Sequence, residues 1–141
     1  MNTRMHDRRA GREALTAVGY WPAERTFRRA DVSSVRRLAA DFGSGTGIGS
    51  MRLADFVLAV SEAASCVVAG GPGCPARLRL WTTGPRVLCE VRGGAPRQCA
   101  GGSGYGEAEE MRRWLLGQLC DYSSVSSGPD GVMVLLSISV I

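Results

Sequence analysis

The chain has 141 residues, of which 45% are apolar and 21% charged, with a net charge of +4. That composition fits one globular domain large enough to bury a core. No apolar run approaches the roughly 18 residues of a bilayer-spanning helix, and the N-terminus lacks the apolar stretch of a secretory signal, so the expected location is the cytoplasm, without a membrane partner.

All 17 basic residues are arginine, and nine lie between Met1 and Arg37 against four acids, so the rest of the chain is near neutral. A basic arm suits an acidic protein surface; without interleaved aromatics or a recognition motif, nucleic acid is the weaker partner. The five cysteines (66, 74, 89, 99 and 120) form no C-x-x-C pair and the one histidine is His6. No metal site is expected, and an odd cysteine count without a signal peptide argues for reduced thiols.

Residues 1–23 read as a basic arm, with a short helix around Ala10–Val18 that Tyr20-Trp21-Pro22 breaks; residues 24–141 read as the domain. Arg25–Ala30 suits an edge strand with Phe27 inward. Asp31 is placed to cap a helix whose apolar stripe is Val32, Val35, Leu38, Ala39 and Phe42, with Gly43 as its stop. The connector GSGTGIG (43–49) exposes backbone N–H groups, yet lacks the Lys-Ser/Thr ending of a P-loop and reads as a linker.

A long helix is predicted over Ser50–Gly71. Leu53, Val57, Val60, Ala64 and Val67 form its core face, while Glu62 and Cys66, four residues apart, stack on another. GGPGCP (70–75) ends it. Ala76–Thr83 alternates as a strand, Gly84-Pro85 turns, and Arg86–Arg92 returns as its hairpin partner. Gly93–Gly106 has no periodicity, and at that length reads as a functional lid or its relic.

Glu107–Cys120 is predicted as a third helix, its early acids matching the positive helix end and Met111, Trp114, Leu115 and Leu119 facing inward. Tyr122–Ser127 and Val132–Ile141 are strands joined by the turn Gly128–Gly131. Helices in one layer against a mostly antiparallel, mixed sheet make an α+β two-layer sandwich, with about three helices on one face.

On these residues a resemblance can be drawn. LADFVLAVSEAASCVVAGG resembles the first nucleotide motif of the anti-sigma-factor serine kinases, and QLCDYSSVSSGPDGVMVLLSISV resembles their last helix and final hairpin. They belong to the histidine-kinase-like ATPase superfamily, which shares the Bergerat ATP-binding fold, and the likeness runs from about Phe27 to Ile141. It implies that Glu62 stands where the family carries its general base. Cys66 stands at the magnesium-binding Asn, Gly70 at a conserved His, and Gly93 at the adenine-reading Asp.

The family's phosphate-holding Gly-x-Gly aligns with Glu110, Met111 and Arg112. Gly102, Gly104 and Gly106 lie upstream as partial substitutes, with Glu107, Glu109 and Glu110 opposing phosphate. A thiol is a poor magnesium ligand. Damage at each contact-making residue of three motifs, with the apolar scaffold intact, implies a fold kept and a nucleotide abandoned, with no cofactor expected.

The resulting expectation is a regulatory protein-binding module acting in transcription, with a sigma factor or antagonist domain as partner and a homodimer as assembly. Arg8, Arg9, Arg12, Arg36 and Arg37 are its candidate contacts. The alternative is an active serine/threonine kinase of the same type, with ATP, magnesium and Glu62 as base. A third reading is a thiol sensor built on Cys66 and on Cys99, which neighbours Arg97.

Overall fold

The computed structural model describes residues 23–68, 74–93, 107–129 and 131–141. Strand β1 covers Ala23–Phe27, and a 3-10 turn at Arg29–Asp31 leads into helix α1, Val32–Ser44. Helix α2 is Ser50–Val68. The hairpin of β2, Ala76–Thr83, and β3, Arg86–Gly93, precedes helix α3, Glu107–Leu119. A second hairpin, β4 (Tyr122–Gly128) and β5 (Gly131–Ser139), ends the fold.

The five strands run in the order β1-β2-β3-β5-β4. Every pairing is antiparallel, so the expectation of a mixed sheet is corrected. The α+β class stands, with three α-helices and one sheet among the described residues. Among the described residues no helix is long and apolar enough to cross a membrane.

Because strand side chains alternate between faces, the register divides the sheet into two surfaces. Leu80, Cys89 and Leu136 lie side by side across three strands, as do Leu78, Val91 and Val134. All six are fully buried and join Phe56, Ala59, Val60 and Ala63 of α2 and Leu116 of α3 in one core. The alternate rows, Trp81–Leu88–Ser137–Tyr122 and Arg79–Glu90–Leu135, lie on the opposite surface. There Glu24 pairs with Arg77 (3.3 Å) and Arg79 (3.5 Å), and Glu90 with Arg79 (3.4 Å) and Arg92 (3.5 Å).

Two details of the helices depart from the sequence reading. Asp31 stands at the start of α1 without capping it; its carboxylate accepts instead from the Arg28 N–H, at 3.1 Å. Nor does Gly43 stop α1, which runs to Ser44 and closes on Gly45, whose N–H donates to the Phe42 carbonyl. Gly43 is buried where α1 crosses α2: a Cβ there would stand 2.5 Å from Leu53 Cδ1. Its glycine serves close approach of two helices.

Helix α3 is rotated from its expected orientation. Leu116 is its fully buried residue and Leu119 packs beside it, whereas Met111 is 62% and Trp114 60% exposed. Arg112, Leu116 and Leu119 share one face at helical spacing, and it is this stripe that meets α2. Met111, Trp114 and Leu115 offer a second apolar stripe in sequence, of which packing leaves Met111 and Trp114 outside and Leu115 half-buried.

Candidate functional site

Helix α2 carries Ser61 and Glu62 just past its midpoint and Cys66 in its last turn, on a helix whose apolar positions recur around most of its circumference. Glu62 is partly exposed and turns toward α3, where Arg112 Nε lies 3.7 Å from its Oε1. Across a solvent-touched gap of that length the attraction is modest. One turn on, Cys66 is buried and belongs to the core. The expectation that Glu62 and Cys66 stack on a face apart from the core is corrected: that face descends from solvent at Glu62 into the interior at Cys66.

Gly93, the last residue of β3, meets α2 directly. A Cβ at Gly93 would fall 2.3 Å from Val67 Cγ1 and 3.2 Å from the Val67 carbonyl oxygen. Position 93 therefore has no room for a side chain while Val67 keeps its place. The structure thus sets Arg112 of α3 opposite Glu62 of α2, and Gly93 at the end of β3 against Val67, the residue after Cys66. Met111, aligned beside Arg112, points away into solvent.

The candidate partner contacts separate. Arg36 Nε donates to Ser61 Oγ at 3.0 Å, joining α1 to α2. Ser61 is buried, so this hydrogen bond satisfies a hydroxyl inside the fold, and Arg36 is a structural link. Arg37 is exposed. Arg8, Arg9, Arg12, Gly70, Gly102, Gly104 and Gly106 lie outside the described residues, as does the expected lid beyond Gly93.

Sequence reasoning missed Asp121. One of its oxygens, Oδ2, accepts from the Ser139 N–H at 2.6 Å and from Arg52 Nη2 at 2.8 Å. It ties the start of α2 to the first residues before β4 and the end of β5. These bonds, the backbone one foremost, hold its carboxyl below the usual carboxylate range. The only sequence signal was its place before the last hairpin.

The cysteines also depart from expectation. Cys66, Cys89 and Cys120 are free thiols, but Cys74 is disulfide-bonded, correcting the reading of uniformly reduced thiols. Burial pushes the Cys89 thiol well up, and with the neighbouring Asp121 pushes Cys120 up to about 12. Both stay protonated at neutral pH, where a thiol is neither a nucleophile nor a ligand.

Chemically the cluster offers one partly exposed carboxylate held near a guanidinium, a buried thiol and a strand end without a side chain. Magnesium wants hard oxygen ligands and an adenine amino group wants an acceptor. The residues at positions 66 and 93 supply neither. Compared with known proteins, the sequence matches no protein-family model and no curated protein.

Proposed function

We propose that this chain is a protein-binding regulator, a degenerate relative of the anti-sigma-factor kinases on a Bergerat-type scaffold. On this reading it acts in the cytoplasm by holding a sigma factor or a small antagonist domain, as a homodimer, without nucleotide. The observation that carries the reading is the outward face of α3. Met111 and Trp114, 62% and 60% exposed, form an apolar surface one helical step from the Glu62–Arg112 pair. An exposed tryptophan beside an arginine is the side-chain chemistry of a binding hot spot. A contiguous exposed apolar patch, unlike single scattered side chains, marks an interaction site.

The pocket chemistry supports the same side. A site that retains its scaffold while its contact residues are a thiol, a glycine against Val67 and an arginine has kept shape and lost reactivity. Partner contact moves accordingly from Arg36, bonded to Ser61, to α3, with Arg37 and the arm arginines as rim charges.

The test is affinity capture from native cells, comparing the unaltered chain with Trp114→Ala. Recovery of a sigma factor or antagonist domain with the first and its loss with the second is the expected result. Equal recovery with both, or neither protein with the unaltered chain, would overturn the proposal.

A further inference from the structure

A strand at the edge of a sheet turns a row of N–H and C=O groups outward, and natural edges are guarded by charge, proline, a bulge or a cover. Among the described residues the edge strands are β1 and β4. The first is guarded, since Glu24 and Arg25 are both exposed on it. The second has none of these devices. Tyr122–Gly128 (YSSVSSG) holds no charge and no proline. Its pairing with β5 runs unbroken from Tyr122–Ser137 to Gly128–Gly131, without a bulge to bend it away. Ser126, Ser127 and Gly128 are exposed, and Ser123, Ser124 and Val125 are half-buried, so nothing seals the strand.

The composition of β4 also says what fits it. YSSVSSG reads the same in both directions about Val125, apart from its two end residues. An antiparallel pair of identical strands has a two-fold axis perpendicular to the sheet. With that axis at Val125, Val125 meets Val125 of the second copy, Ser124 meets Ser126, Ser123 meets Ser127, and Tyr122 meets Gly128. Strand alternation keeps every such pair on one face. Ser123, Val125 and Ser127 share the helix-side surface with their β5 partners Leu136, Val134 and Val132, while Tyr122, Ser124, Ser126 and Gly128 share the opposite one. Each match is a favourable cross-strand contact: apolar on apolar, hydroxyl on hydroxyl, an aromatic ring over a glycine. No charge is left facing another.

We propose that two copies of this chain join through β4, antiparallel about Val125, into one continuous sheet of twice five strands. The pairing satisfies both β4 edges at once and buries the part of Val125 that the core leaves in water. Seven residues a side is well below the roughly 20–30 of a permanent interface, so the dimer is reversible and forms as concentration rises. This gives the homodimer of the reading above its surface and rests on that part of the reading alone; the hold on a partner through Trp114 does not depend on it.

Sedimentation equilibrium on the full chain makes the test. The unaltered chain should move from 15.0 kDa toward twice that mass between micromolar and millimolar concentration. Ser124→Lys with Ser126→Lys sets like charges directly opposite one another at two places and should weaken association about tenfold. Ser124→Lys with Ser126→Glu sets opposite charges there and should restore it. Should the paired lysines unfold the chain by far-UV circular dichroism, Ser126→Lys alone, at an exposed position, makes the same comparison with a smaller loss. A monomer at every concentration overturns the proposal together with the homodimer, and leaves capture through α3 to its own test. A dimer that these changes leave intact, or that Trp114→Ala dissolves instead, places the second copy elsewhere and overturns the β4 pairing alone. Loss with the lysines that the lysine–glutamate pair does not restore overturns the register about Val125.

Discussion

Gly93 and Val67 stand so close that one more carbon would not fit: a Cβ on Gly93 would lie 2.3 Å from Val67 Cγ1. Val67 is β-branched and helical, so its χ1 has one strongly preferred rotamer and little freedom to yield. Gly93→Ala should therefore cost about 1–3 kcal/mol, the usual range for overpacking. Val67→Ala alone should cost about 1 kcal/mol for lost methyl burial. The double variant should be less destabilised than the sum of the two by about 1 kcal/mol, since each change relieves the other. Urea denaturation of the four proteins measures the coupling, and strict additivity would show that the two positions do not meet.

Helix α3 separates stability from binding in two neighbouring residues. Leu116 is fully buried, and Leu116→Ala should cost about 2–5 kcal/mol. Trp114, mostly in water, should cost less than about 0.5 kcal/mol when changed to Ala, as surface substitutions do. If Trp114→Ala lowers the urea midpoint as Leu116→Ala does, the tryptophan is structural and the binding face proposed for α3 loses its anchor.

Much of this fold was legible because its strands alternate strictly and their turns are chemically marked. Ala76–Thr83 and the return strand from Arg86 were readable from Gly84-Pro85 and the Leu78, Leu80, Val87 and Val91 pattern. Helix boundaries near glycine were less so, because Gly43 looks like a stop in sequence and acts as a packing contact in space. The face of α3 was misread since Met111, Trp114 and Leu115 are as apolar as Leu116 and Leu119. Only the packing of Leu116 and Leu119 into the core, seen in space, decides which stripe turns inward.

Of the candidate site, the sequence offered positions and no contacts. Glu62, Cys66, Gly93 and Arg112 were singled out by the resemblance; the fold sets Arg112 opposite Glu62 and Gly93 against Val67, the residue after Cys66. What the sequence could not give is the reason for Gly93, which is a close approach to Val67 from a distant helix. The Arg36 bond was hidden for the same kind of reason: its partner Ser61 is 25 residues away and carries no sequence signal.

Asp121 predicts a specific acid dependence. Its folded carboxyl is held below the ordinary value by the Ser139 N–H and Arg52, so the unfolded chain binds the proton more readily. The stabilisation is complete above the ordinary carboxylate pKa of about 4 and is lost as pH falls through the lower folded value. Asp121→Ala should lose about 1 kcal/mol at neutral pH, the usual size for such hydrogen bonds at a surface. Denaturation midpoints at roughly pH 7 and pH 3 should converge between the variant and the unaltered chain at the lower value. A gap that stays constant with pH would mean that the carboxylate charge plays no part.

The Glu62–Arg112 pair supplies the last prediction, and it divides the binding reading from the kinase reading. At 3.7 Å and partly in water, the pair should contribute less than about 1 kcal/mol, so Glu62→Gln should leave the urea midpoint nearly unchanged. Calorimetry with magnesium ATP at millimolar concentration should show no binding heat for the unaltered chain. Restoring an oxygen ligand with Cys66→Asn should not recover it, because position 93 still has no room for an adenine-reading carboxylate beside Val67. Saturable heat from the unaltered chain, abolished by chelating the magnesium, would instead make Glu62 a candidate base and favour the kinase. Heat appearing only with Cys66→Asn would show that the thiol alone had closed the pocket, and that the crowding at Gly93 had not.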